Sequence, residues 1–97
     1  MDEEVVREHA TKHGKATVEG DFKTAGSDLT PEAAGQAPDV MKALPRDLTS
    51  SEVSKVSKDG DAYIATIEYS GEDETTTVES TWEEREGRPR IVNLKVV

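Results

Sequence analysis

The sequence holds two histidines, His9 and His13, one helical turn apart. Imidazole is the one side chain that ordinarily changes charge near neutral pH. Four residues apart on a helix, two imidazoles can reach one metal ion, or one can serve as a general base. A metal site needs more ligands. The chain has no cysteine, no HExxH spacing and no recognisable third ligand, so no metal is assigned. The same spacing suits two half-polar members of a packed helix stripe, and that simpler reading is taken here. His9 and His13 remain weak catalytic candidates, together with Asn93, which can orient a carbonyl or hydroxyl but takes up no proton at neutral pH. Other chemistry fails on inspection. Asp59, Asp61 and the acids from Glu72 to Glu74 are placed like calcium-loop acids, but Tyr63 and Ile64 stand where such a loop needs a ligand and its glycine. GxGxxG, GxxxxGK and GxSxG are all absent, so neither nucleotide cradling nor a serine-hydrolase elbow has support, and no cofactor is expected.

Positioning these side chains falls to 97 residues, of which 33% are apolar and 4% aromatic. A chain of this size supports one domain, 1–97, and nearly every large apolar side chain is needed for its core. Val5, Val6, His9, Ala10, His13, Ala16 and Thr17 recur at three and four and predict a first helix over 3–18, weakened by Gly14. Gly20 breaks it, and Asp21 caps a short helix in which Phe22 packs inward. Thr30 before Pro31 and Glu32 starts a further helical stretch, which Pro38 splits and Pro45 closes, with Val40, Met41 and Leu44 on its apolar face.

After Leu48 the composition shifts to Val, Thr, Ile and Tyr at period two. Asp59-Gly60, the Gly71–Glu74 turn and Glu86-Gly87 divide it into four strands of an antiparallel meander. Two-residue loops then set a register. One face collects Val56, Tyr63, Ala65, Ile67, Tyr69, Val78, Ser80, Trp82, Ile91 and Asn93. The other collects Val53, Ile64, Thr66, Thr77, Thr81, Val92, Leu94 and Val96, with Lys55, Glu68 and Glu79 among them. The expected fold is α+β, with N-terminal helices on the aromatic face of a curved four-stranded sheet. Tyr63, Tyr69, Ser80, Trp82 and Asn93 are the expected ligand-pocket residues. Ile64, Val92, Leu94 and Val96 form an uncovered outer strip and are the expected interface of a homodimer.

The net charge is −9, with 12 basic against 21 acidic residues. Acids outnumber bases on both sides of Leu48, and the one basic cluster, Arg85, Arg88 and Arg90, is interleaved with Glu83, Glu84 and Glu86. Nucleic acid and anionic membranes need clustered cations, so neither is an expected partner. No apolar run approaches the roughly 20 residues of a membrane span. The opening MDEEVVREHA lacks the basic and apolar parts of a secretory leader, so the cytoplasm is the expected location.

Several features occur in a familiar order: an amphipathic first helix running into a Gly-Asp break (TVEGDF), short helices ending in proline, a hairpin on Asp-Gly, and the closing VESTWEEREGRPRIVNLKVV. In this the chain resembles the nuclear transport factor 2-like superfamily in its small SnoaL-like form, over its whole length. The resemblance implies an α+β cone whose sheet wraps helices around a pocket, and homodimers joined through the outer sheet face. It does not imply one activity, because the fold hosts cyclases, isomerases, dehydratases, hydrolases and non-catalytic binding modules. Catalytic relatives use a carboxylate or histidine on the inward strands or first helix. None of the expected inward strand positions here is Asp or Glu. The favoured expectation is therefore a non-catalytic, dimerising domain that takes a small apolar ligand or a protein partner. The alternative is a SnoaL-like enzyme of the cyclase, isomerase or dehydratase type, with His9 or His13 as base and Asn93 orienting the substrate.

Overall fold

The computed structural model describes residues 1–97. It has three helices, α1 (Glu3–Glu19), α2 (Phe22–Gly26) and α3 (Pro31–Ala43), then four strands, β1 (Ser50–Asp59), β2 (Ala62–Ser70), β3 (Thr75–Arg85) and β4 (Arg88–Val96). Each helix begins where a side-chain oxygen can take up a free backbone N–H. Asp2 accepts from Val5 N, Asp21 from Thr24 N and Thr30 from Ala33 N. α1 ends in a Schellman motif: Gly20 is left-handed at φ 77, its N–H bonds Thr17 O, and Asp21 N–H bonds Ala16 O at 2.9 Å. Two expectations change here. α3 runs unbroken through Pro38, because the carbonyl that proline deprives of a partner belongs to Ala34, and both residues are exposed to water. Phe22 does not pack inward and is 54% exposed.

The sheet is an antiparallel meander in the order β1-β2-β3-β4. In the last hairpin, Glu86 and Gly87 both have positive φ, 56 and 80, as a two-residue turn that follows the strand twist requires. The first hairpin turns on Gly60-Asp61, one residue later than expected, with Asp59 paired to Ala62. Two bulges alter the register. Trp82 pairs with Ile91 but Thr81 with Asn93, leaving Val92 as the extra residue. Val53 pairs with Ile67 but Lys55 with Thr66, leaving Ser54 extra. A bulge adds one residue to one strand, so every side chain beyond it changes face, and the strand bends.

The bulges correct the expected faces. Beyond Val92, Leu94 pairs with Ser80 and Val96 with Val78 on the helix side, whereas Asn93 pairs with Thr81 on the outer side. Val53 likewise joins the inner face beside Ile67. Ile64 keeps an outward place, but its neighbours there are Thr66, Glu68, Thr77, Glu79 and Thr81. The continuous outer strip of Ile64, Val92, Leu94 and Val96 is therefore not formed.

The core joins Val6 and Ala10 of α1 and Ala33 of α3 to Val56, Ala65, Ile67, Tyr69, Val78, Trp82 and Ile91 of the sheet. Gly14 lets α1 lie close to β1, because a Cβ there would stand 2.7 Å from Ser51 Oγ. Trp82 is fully buried. Its Nε1 donates to Ser80 Oγ, which donates to the Ala65 carbonyl, both at 2.9 Å. The outer edge of β4 is covered from the N-terminal half. Ile91 N donates to Asp28 O at 2.6 Å, Thr30 N donates to Ile91 O at 2.9 Å, and Gln36 accepts from Leu94 N at 2.8 Å while donating to Asn93 Oδ1 at 2.9 Å. The Ile91 N–H and C=O and the Leu94 N–H are thus already occupied, which blunts this part of the edge. Trp82→Ala empties the centre of this core and is expected to cost about 3 to 5 kcal/mol in urea denaturation; a loss below about 1 kcal/mol would contradict its central packing.

Candidate functional site

Ala34 and Ala37 of α3 line the space between this helix and the sheet, and side chains this small cannot fill it. The result is a cavity of about 310 Å3 between the helices and the inner sheet face, with Ile67, Val78 and Leu94 on its strand wall. That volume lies at the lower end of the roughly 300–1,000 Å3 usual for small-molecule pockets. Phe22 and Met41, 54% and 43% exposed, stand among its lining residues. The polar side chains on the wall are His13, Thr17 and Tyr69.

His13 is held from behind. Its Nδ1 lies 3.1 Å from Asp28 Oδ2, and Asp28 Oδ1 accepts from Arg88 Nη2 at 2.6 Å. The side chains of His13 and Asp28 are almost wholly buried. With a guanidinium on its other oxygen, the Asp28 carboxylate acts as acceptor on both sides, so His13 Nδ1 must be the donor. In the neutral ring this leaves Nε2 as the basic nitrogen, on a side chain that lines the cavity. Trp82 fixes the ring plane by an edge contact at 6.1 Å between centroids and 88° between planes. Thr17 Oγ1 donates to the His13 carbonyl at 3.0 Å, closing that turn of α1. Burial raises the Tyr69 phenol from 10.0 to about 12, against a smaller lowering effect of the Thr17 hydroxyl. Tyr69 therefore stays protonated over the whole physiological range, as a phenol that can donate a hydrogen bond.

Of the residues expected to line a pocket, Tyr69 does so. Ser80 and Trp82 are core residues bonded to each other. Tyr63 packs half-buried against the core, away from the cavity. Asn93 is exposed and bonded to Gln36, so it cannot orient a substrate beside His13. His9 faces Trp82 at 6.3 Å and does not line the cavity, whereas His13 does. Leu94, expected at an outer interface, is a wall of the cavity. No third metal-binding side chain joins His13 and Asp28. Asp28 gives no sequence signal of its own, since it sits in SDLTPE, where it reads as a linker residue before a helix cap. No protein-family model matches the chain, and no curated protein matches it.

The buried phenol makes stability depend on alkaline pH. The folded protein keeps the Tyr69 proton that the unfolded chain releases from about pH 10, so this contribution to stability is full below pH 10 and lost as pH rises toward about 12. Difference absorbance at alkaline pH is expected to show one phenol titrating near 12 that vanishes in Tyr69→Phe; a vanishing step near 10 would contradict the burial.

Proposed function

We propose that the protein binds a small, mainly apolar molecule in the cavity between α3 and the inner face of the sheet, with His13 and Tyr69 as its polar contacts. The observation that carries this reading is the cavity itself: about 310 Å3, walled largely by apolar groups, in a chain whose apolar content leaves little to spare. Empty apolar space costs packing energy, and a ligand of matching size recovers it. The reading agrees with the resemblance to the small SnoaL-like form of the nuclear transport factor 2-like superfamily, whose cones enclose pockets. It needs no second copy of the chain, because the outer strip that pointed to a homodimer is not formed.

The His13–Asp28 pair favours a second reading, a proton-transfer enzyme. A histidine with its Nδ1–H held by a carboxylate offers Nε2 as a general base, and the neutral Tyr69 phenol on the same wall can donate a hydrogen bond to an oxyanion. Asn93 plays no part in this version. The two readings share the cavity and differ in whether the bound molecule is then transformed.

Titration with the neutral apolar fluorophore N-phenyl-1-naphthylamine tests the shared step. Saturable fluorescence enhancement is expected with the unmutated protein. Ala37→Trp, which places an indole in the cavity, is expected to weaken it by about tenfold or more while the far-ultraviolet spectrum stays folded. No enhancement, or enhancement indifferent to Ala37→Trp, would contradict the reading.

A further inference from the structure

The cavity does not end at Phe22 and Met41. Those two residues, with Thr17 and Leu44, also line an adjoining groove of about 550 Å3 that continues over Val18, Pro45 and Leu48. The groove's charged lining residues are Lys42 and Arg46, both cations, in a chain of 21 acidic and 12 basic residues. Neither has an acid within ion-pair distance. Asp47, Asp73 and Glu74 line a neighbouring depression that Lys42 and Arg46 also border, and none of the three acids lines the groove. Asp47 is already engaged, accepting from Glu72 N at 2.9 Å. The inner cavity, by contrast, has no carboxylate, ammonium or guanidinium on its wall.

Apolar space inside and unpaired positive charge at the mouth select one kind of molecule. Resting on the binding reading above, we infer that the ligand is an apolar monocarboxylate, its hydrocarbon part in the cavity and its carboxylate between Lys42 and Arg46. A guanidinium matches a carboxylate with two parallel hydrogen bonds, and the ammonium adds a point charge. The hydrocarbon covers Phe22 and Met41, large apolar side chains otherwise exposed to water. A neutral molecule of the same shape gains only the burial, and a cationic one is repelled at the mouth.

Calorimetric titration with decanoate, 1-decanol and decylamine, each below its aggregation concentration, separates these contributions. Decanoate is expected to bind roughly tenfold or more tighter than decanol, the margin that charge-assisted hydrogen bonds supply, and decylamine more weakly than either. The double variant Lys42→Gln/Arg46→Gln, altered at two exposed positions, is expected to bring decanoate down to the decanol level. Ala37→Trp is expected to weaken both. Equal binding of decanoate and decanol, or a decanoate preference that survives the double variant, would overturn the inference and leave the cavity reading standing. Failure of all three to bind would overturn both.

Discussion

The Asp28 carboxylate joins three stretches of chain that sequence keeps far apart. One oxygen meets His13 of α1 and the other meets Arg88 at the start of β4, while the backbone of the same residue bonds Ile91. A buried carboxylate is costly unless its oxygens are occupied, and here both are. Taking away either partner leaves an oxygen of this buried carboxylate without a donor, at a cost of about 1 to 3 kcal/mol. The chain between α2 and α3 is thereby fastened to the last strand, and α1 to both. With those three elements held, α3 rests against the sheet through Ala33 and Gln36.

The cavity arises from that placement and from the small residues of α3. Ala33 reaches the core and is fully buried, but Ala34 and Ala37 leave room beneath the helix. The bulge at Val92 completes the wall by turning Leu94 inward. The same bulge gives Gln36 a free Leu94 N–H to bond, so α3 is anchored at its middle to the strand edge. Curvature, edge protection and the cavity wall thus share a cause in one extra residue.

Much of this fold is legible in the sequence because it is local. Asp2, Asp21 and Thr30 cap helices as their types predict, Gly20 ends α1, and Glu86-Gly87 makes the last turn. The β2–β3 register is set by its turn and places Tyr63 opposite Trp82. Local signals do not encode the rest. Nothing in RIVNLKV distinguishes a straight strand from one with a bulge at Val92, yet the bulge decides whether Asn93 or Leu94 faces the helices. Asp28 is hidden for a related reason, since its partners lie 15 and 60 residues away. His13 is visible as a candidate, but the carboxylate that orients it is not.

Asp28 acting as acceptor toward His13 sets the tautomer, leaving Nε2 as the basic nitrogen of a side chain that lines the cavity, and the role proposed for His13 as a base depends on it. Long-range nitrogen–proton correlation spectra of the imidazole report which ring nitrogen carries the proton. In the neutral ring of the unmutated protein the proton is expected on Nδ1, and in Asp28→Ala, where that acceptor is gone, the Nε2-protonated form is expected to gain. A neutral His13 protonated on Nε2 in the unmutated protein would contradict this arrangement.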